Sequence, residues 1–118
     1  MLSLPPTVRI FLSTQPADMR RSFDGLAAMT VDVIGQDPLS GHLFVFRNKR
    51  GDRVKSLYWQ RSGYCLWYKR LEVGVFHFPA DASSPSVEVE ASDLALLLEG
   101  IDLAGARRRK RFRRRVIV

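Results

Sequence analysis

The first forty residues change from the hydrophobic pattern of a strand to that of a helix. Residues 8–12 (VRIFL) form a short run rich in apolar and β-branched side chains, which predicts a buried strand. Downstream, five positions recur at the spacing of one helical face: Phe23, Leu26, Ala27, Thr30 and Ile34. Gly35 directly follows this stripe and is the predicted C-cap of the helix.

Four short runs in the middle of the chain have the composition of strands. They span residues 42–47, 53–60, 64–70 and 73–78, and they are rich in aromatic and β-branched side chains. A polar, glycine-containing loop and a turn separate the first three runs. The pattern therefore predicts an antiparallel β-meander. In its second strand, Lys55, Leu57 and Trp59 share one face, because side chains alternate along a strand.

The last predicted elements are a short strand at residues 87–89 and a helix at residues 93–99. Ser92 is the predicted N-cap of this helix, and leucines line one of its faces. The predicted fold is α+β: an antiparallel meander of about four strands, with one helix before it and one short helix after it. Residues 1–106 are expected to form a single domain. Residues 107–118 are predicted to be a basic tail that stays disordered until a partner neutralises its charge.

The charge is distributed in blocks. The net charge is +7. Residues 47–70 hold eight basic residues against one acid, residues 71–106 hold seven acidic residues and no basic one, and residues 107–118 hold eight basic residues and no acid. Such blocks favour a polyanion as partner. The alternative is that the acidic block neutralises one of the basic blocks within the fold.

Composition limits the setting in which the protein works. A chain of 118 residues with 46% hydrophobic residues can bury a core without disulfides. No apolar run approaches the ~20 residues of a membrane span. A single cysteine, Cys65, is compatible with a reducing compartment, so the cytoplasm is the expected location, with no membrane partner.

No motif indicates catalysis or a bound cofactor. The sequence lacks phosphate-binding glycine motifs, and Cys65, His42 and His77 lack the spacing of a zinc site. We therefore expect no catalytic residue, no metal and no cofactor. A small metal-dependent nuclease remains an alternative, for which four carboxylates near the first helix are available: Asp18, Asp24, Asp32 and Asp37.

The two basic blocks carry the candidate nucleic-acid contacts. Arginine and lysine side chains would grip phosphates, and exposed aromatic rings could stack on bases. The alternative places Trp59 and Trp67 in the core and leaves the cations as solvated charges at a sheet edge. The candidate contacts are Arg47, Lys49, Arg50, Arg53, Lys55, Arg107, Arg108, Arg109, Lys110, Arg111, Arg113, Arg114 and Arg115.

Several long motifs resemble one family. Residues 17–27 (ADMRRSFDGLA) are similar to the motif DMRKGFDGLA of the TnpB-type accessory protein of the insertion-sequence sixty-six family. Residues 43–59 and 63–79 resemble that family's FRNRRGDRLKILYW and FCLWYKRLE patterns, and residues 96–103 (LLLEGIDL) also match. Ser22 is a departure, because glycine or alanine is commoner there.

The resemblance implies a bacterial mobile-element protein that acts with a transposase, whose catalytic residues lie on a separate chain. We therefore expect a non-catalytic accessory protein for transposition that binds DNA, with the element's terminal repeats as the candidate target. An alternative is an adaptor that binds the transposase without reading DNA. Its interface would include Asp18, Met19, Arg20 and Arg21. The alternative for the two arginines is that they join the DNA contacts. An exposed edge strand would also allow two copies to pair as a homo-oligomer.

Overall fold

Five strands form one mixed sheet with a helix packed on each face. The computed structural model describes residues 4–79 and 83–103 of the chain. The strand order is β4-β3-β2-β1-β5. The elements are β1 (Ile10–Ser13), α1 (Phe23–Met29), β2 (Leu43–Arg47), β3 (Arg53–Gln60), β4 (Gly63–Arg70), β5 (Ser86–Val89) and α2 (Ala91–Leu98).

The predicted α+β class is confirmed, but the sheet is not wholly antiparallel. β1 pairs in parallel with β2, whereas the β2–β3, β3–β4 and β1–β5 pairs are antiparallel. The residues of β1 are all buried, as a strand between two neighbours requires. The connection through α1 is long enough to cross one face of the sheet and return the chain in the same direction.

Alternation along the strands builds a core on each face. The α1-side core contains Phe11, Phe44 and Leu57, and the α2-side core contains Ile10 and Leu12. Neighbouring residues of β1 therefore pack into the cores on opposite faces of the sheet. The leucines of α2 complete the second core: Leu94, Leu97 and Leu98, each buried as predicted.

The first helix follows its predicted stripe except at its start. Leu26, Thr30 and Ile34 are buried, whereas Phe23 is 44% exposed at the first residue of α1. α1 continues into a π-helical turn over Thr30–Ile34. Gly35 ends this turn with φ +75°, so its prediction as the C-cap is confirmed.

The predicted strand over residues 73–78 is wrong. This segment is irregular, and Phe76 is its one buried hydrophobic residue, while Val73 is 91% exposed. The Phe76 N–H donates to the Gly51 carbonyl (2.8 Å), and the Phe76 carbonyl accepts from the Arg47 guanidinium (2.7 Å). Because a loop satisfies these backbone groups, the segment needs no neighbouring strand.

The end of the described chain agrees with the sequence except at one cap. The short strand predicted at residues 87–89 lies within β5, and Gly100 follows α2 with φ +80°. The helix begins at Ala91 with Glu90 at its N-cap, so the prediction of Ser92 as the cap was wrong. The basic tail, residues 107–118, lies outside the described residues. In the part of the chain that is described, no helix is both long and apolar enough to span a bilayer.

Candidate functional site

Two motifs that are far apart in sequence lie side by side at one end of the sheet. Because β1 and β2 are parallel, the segment that follows β1 and the loop that follows β2 leave the sheet at the same end. The Ala17 N–H donates to the Arg47 carbonyl (2.9 Å) and joins them. Between them lies an open cleft of about 560 Å³, whose walls include Asp18, Met19, Lys49 and Arg50. The parallel pairing that causes this convergence has no local signature in the sequence.

The loop after β2 is held in one conformation by Asn48. Its side-chain oxygen accepts hydrogen bonds from the N–H groups of Gly51 (2.9 Å) and Arg53 (3.0 Å), and its amide nitrogen donates to Asp52 (2.8 Å). That last bond lowers the pKa of Asp52 below its ordinary value. Gly51 has φ +87°, a left-handed conformation that favours glycine. The loop therefore presents its two basic residues on a preformed support.

Lys49 and Arg50 lie at the tip of this loop, and both are exposed. Neither forms an ion pair within 4 Å among the residues that the structure describes. This loop is the polar, glycine-containing loop that the sequence predicts between the first two strands of the meander. Side chains held in this way can approach an anion without first breaking a bond within the protein.

Lys55, which the sequence grouped with these cations, is buried and only 6% exposed. Its ammonium group donates to the carbonyls of Met19 (2.7 Å) and Arg21 (2.8 Å) and lies 4.8 Å from the centre of the Tyr68 ring. These contacts use the charge to hold the segment after β1 against the sheet. The sequence predicted a direct phosphate contact for Lys55, whereas its burial favours a supporting role.

Arg47 and Arg53 are also engaged within the fold. The Arg47 guanidinium donates to the Phe76 carbonyl and lies 5.3 Å from the centre of the Phe78 ring. The Arg53 guanidinium donates to the Tyr68 hydroxyl (3.1 Å). Both residues are half-buried. Arg47 therefore anchors the irregular segment, while Arg53 lines the cleft.

Asp18 and Arg20 form a compact turn beside the cleft. The Asp18 carboxylate accepts from the Arg20 backbone N–H (2.8 Å) and from the Arg20 guanidinium (2.6 Å). These hydrogen bonds from Arg20 lower the pKa of Asp18 to about 2. Met19 packs partly against the α1-side core, whereas the side chain of Arg20 is 91% exposed.

The exposed cations of this end form what we term the basic rim. Arg21 belongs to it, because its side chain is exposed and bonds only weakly to the Gly25 carbonyl (3.4 Å). The basic rim comprises Arg20, Arg21, Lys49 and Arg50. The sequence had assigned Arg20 and Arg21 to a protein partner, with the DNA contacts as their alternative, and Lys49 and Arg50 to DNA. Lys49 and Arg50 line the cleft, and Arg20 and Arg21 directly follow Met19 of its wall.

The other sequence candidates lie elsewhere in the fold. His42 accepts a hydrogen bond from the Arg9 backbone N–H (3.0 Å), so it has a local structural role. Trp59 packs edge-to-face against Tyr64, and Trp67 packs against the α2-side core. Both tryptophans are half-buried. Within residues 4–79 and 83–103, no group of three or more metal-ligating side chains gathers, so the nuclease alternative gains no support there.

Comparison with known proteins gives the class of the protein. Residues 8–108 match the family described as IS66 Orf2 like protein, so the chain belongs to that family. The resemblance seen in the sequence is thus confirmed. The chain is a transposition-associated accessory protein of an insertion sequence.

Two relatives come from Sinorhizobium fredii (strain NBRC 101917 / NGR234). The protein described as uncharacterized protein y4jC is 38% identical over 102 residues, which cover 86% of this chain and 86% of the relative. Uncharacterized protein y4hO is 37% identical over 102 residues, which cover 86% of this chain and 88% of the relative. No solved structure matches the chain.

Proposed function

We propose that this accessory protein binds DNA through the basic rim and takes no catalytic part in transposition. The observation that carries the proposal is the preformed loop after β2, which holds Lys49 and Arg50 exposed and without an ion pair within 4 Å in the described chain. Arg20 and Arg21 directly follow Met19, which lines the same cleft. Cations gathered at one end of a domain are the electrostatic footprint of a polyanion partner.

The roles within this end of the sheet divide between contact and support. Lys49, Arg50 and Arg21 would contact phosphates directly, because their side chains are exposed. Lys55 and Arg47 would act indirectly, since their hydrogen bonds hold the two segments in place. The division explains why a basic residue can be buried at a surface that binds a polyanion.

The basic tail would add affinity without adding sequence information. Residues 107–115 hold eight basic side chains, and phosphate contacts are largely independent of base sequence. Preference for the element's terminal repeat would then have to come from the folded body. A chain stopped after Ala106 separates the two contributions.

The proposal is tested by fluorescence anisotropy on labelled duplexes across a salt series. The terminal repeat and a scrambled duplex are compared for the full chain and for the Lys49→Gln/Arg50→Gln variant. Each lost phosphate contact reduces the salt slope by about 0.9, so the double variant should lose about 2 from the slope. Arg61→Asn is the matched control, because Arg61 is exposed in the turn at the opposite end of β3 and asparagine tolerates its φ of +54°.

An unchanged slope in the double variant would remove the loop from the proposal. A loss in the Arg61→Asn control that is half of the loss in the double variant, and so equal per charge removed, would indicate a diffuse charge effect without a defined site. Binding that persists only while the tail is present would shift the proposal to the tail alone. Preference for the terminal repeat that survives the truncation would place recognition in the folded domain.

The adaptor function remains a second candidate, because one specific observation favours it. Phe23 and Val31 on the first helical segment are 44% and 54% exposed, and such apolar surface suits a protein partner. Association with the transposase through this surface should persist at salt concentrations that abolish DNA binding. Val31→Asp should weaken that association and leave DNA affinity unchanged. Loss of association at high salt in the parent protein would contradict an apolar interface.

A further inference from the structure

We infer that two copies of this chain pair through β4 and extend the sheet across a two-fold axis. β4 is the strand at one edge of the sheet, and it is eight residues long. Among the described residues, no strand pairs with the side of β4 that faces away from β3. A strand edge of this length is a template for another strand.

The backbone groups available for pairing can be read from the hydrogen bonds of β3. The Arg53 carbonyl accepts from the Asn48 N–H, so the Arg53 backbone faces β2. Backbone directions alternate along a strand, and Ser56 and Tyr58 of β3 therefore face β4. They pair with Trp67 and Cys65. The backbone groups that point outward from β4 are consequently those of Tyr64, Leu66, Tyr68 and Arg70.

The edge is complementary to itself in an antiparallel arrangement. Pairing centred on Leu66 places this residue opposite its own copy, Tyr64 opposite Tyr68, and Cys65 opposite Trp67. Lys69 then lies opposite Gly63. Like charges are not opposed at any of these positions, and aromatic or apolar pairs occupy the centre, where cross-strand contacts stabilise a sheet.

The exposure of side chains on β4 also favours pairing of two copies at this edge. Tyr64, Leu66 and Trp67 are half-buried, and Tyr68 is 46% exposed. An open groove of about 530 Å³ lies beside this edge on the α2 side, between Trp67 and Leu94. Pairing of two copies would bring the second copy's edge against this apolar surface and remove both from water.

The opposite edge of the sheet is less suited to self-pairing. β5 has four residues, and Glu88 lies in its centre. The Glu88 carboxylate is bound by the Arg9 guanidinium (2.7 Å) and is partly exposed. A short strand that carries charged side chains is a common device that prevents edge pairing.

The dimer has a geometric consequence that rests on the proposed DNA-binding function. Arg70 lies four residues from the centre of the pairing, so the two copies of Arg70 would be about 26 Å apart along the strands. The loop after β2 adjoins this end, because Arg53 pairs with Arg70. The two basic rims would then be separated by a distance comparable to one turn of B-DNA, about 34 Å.

The test uses the full chain without DNA, so its outcome is independent of nucleic-acid binding. Light scattering during size-exclusion chromatography gives the mass of the parent protein across a concentration series. A Cys65→Ser/Leu66→Cys variant then probes the interface by mild oxidation. Residues opposite each other in a hydrogen-bonded pair have Cα atoms about 5.5 Å apart, which a disulfide can join.

The expected result is a parent dimer and a covalent dimer of the Leu66→Cys variant on a non-reducing gel. The Cys65→Ser/Glu88→Cys variant, which carries its thiol on the other edge, should remain unlinked. Leu66→Lys, which places two charges on the axis, should shift the population to monomer while circular dichroism retains the parent's spectrum.

Three results would overturn the inference. The first is a parent protein that is monomeric at every concentration. The second is a dimer in which the Leu66→Cys variant forms no disulfide, because the interface then lies elsewhere. The third is a covalent dimer of the Cys65→Ser/Glu88→Cys variant, because its single thiol can link only to its own copy and would place β5 at the interface.

Discussion

Replacement of Lys55 by methionine tests the supporting role that its burial indicates. Lys55→Met keeps a long unbranched side chain in the same space and removes the ammonium group. The carbonyls of Met19 and Arg21 lose their donor, and the Tyr68 ring loses the cation beside it. If Lys55 contacts phosphate directly, the variant should bind DNA more weakly and keep the stability of the parent protein. If Lys55 is a buried support, the variant should be less stable than the parent protein.

The expected change in the free energy of unfolding is the balance of contributions with opposite signs. Two hydrogen bonds to a charged donor contribute about 1.5–3 kcal/mol each, and a cation beside an aromatic ring adds about 1 kcal/mol. Burial of the ammonium group opposes them with several kcal/mol of lost hydration, which the methionine variant recovers. We expect Lys55→Met to lower the free energy of unfolding by about 1–3 kcal/mol. Arg21 is exposed, so water can hydrate its carbonyl once the ammonium group is removed. The expected loss of unfolding free energy therefore lies in the lower half of this range.

Urea denaturation followed by tryptophan fluorescence measures the stability, and hydrogen exchange reports on the segment that Lys55 holds. The amides of residues 17–21 should lose protection in the variant. Lys49→Met is the matched control, because Lys49 is exposed, and its change in stability should stay within about 0.5 kcal/mol. A Lys55→Met protein with the parent's stability and the parent's exchange pattern would refute the supporting role.

Three further predictions concern single contacts. Ser56→Ala should raise the free energy of unfolding by about 1 kcal/mol in urea denaturation, because the buried Ser56 hydroxyl has no hydrogen-bond partner in the described structure; a loss of stability would contradict this. Arg20→Gln should raise the pKa of Asp18 from about 2 toward its ordinary 3.8, as measured by carboxyl-carbon NMR. Since folding lowers this pKa, the carboxylate stabilises the fold above pH 3.8, and the contribution is lost as the pH falls toward 2. Gly51→Ala should lower the unfolding free energy by about 1–3 kcal/mol, because of its positive φ, whereas Gly63→Ala, with open space around it, should have a much smaller effect in the same assay.

Local periodicity was a reliable guide to which side chains share a face. Alternation placed Lys55 beside Leu57 and Trp59, and the register of β3 agrees. The stripe of the first helix and its glycine cap were likewise predictable, because both depend on neighbours within a few residues. The class of fold followed from the number and type of these elements.

Properties that depend on distant parts of the chain were not predictable. Alternation cannot show that a lysine on an apolar face meets the carbonyls of Met19 and Arg21, which lie more than thirty residues away. Residues 73–78 have the composition of a strand, yet the groups that satisfy Phe76 come from Arg47 at the end of β2 and from Gly51 in the loop after it. The contact between residues 17–21 and the loop after β2 depends on the parallel pairing of β1 with β2, which the sequence does not show.

The pairing of β1 with β5 has a consequence for synthesis on the ribosome. The buried residues of the α1-side core all precede residue 58, so that layer can assemble while the chain is still being made. Ile10, however, can pair with Val89 only after β5 has been synthesised. The apolar surface on the other face stays uncovered until the leucines of α2 have been synthesised. Contacts between such distant residues form slowly. The nascent chain therefore carries one open strand edge and one uncovered apolar face until its last quarter emerges, and this interval is when it most needs protection from aggregation and proteolysis.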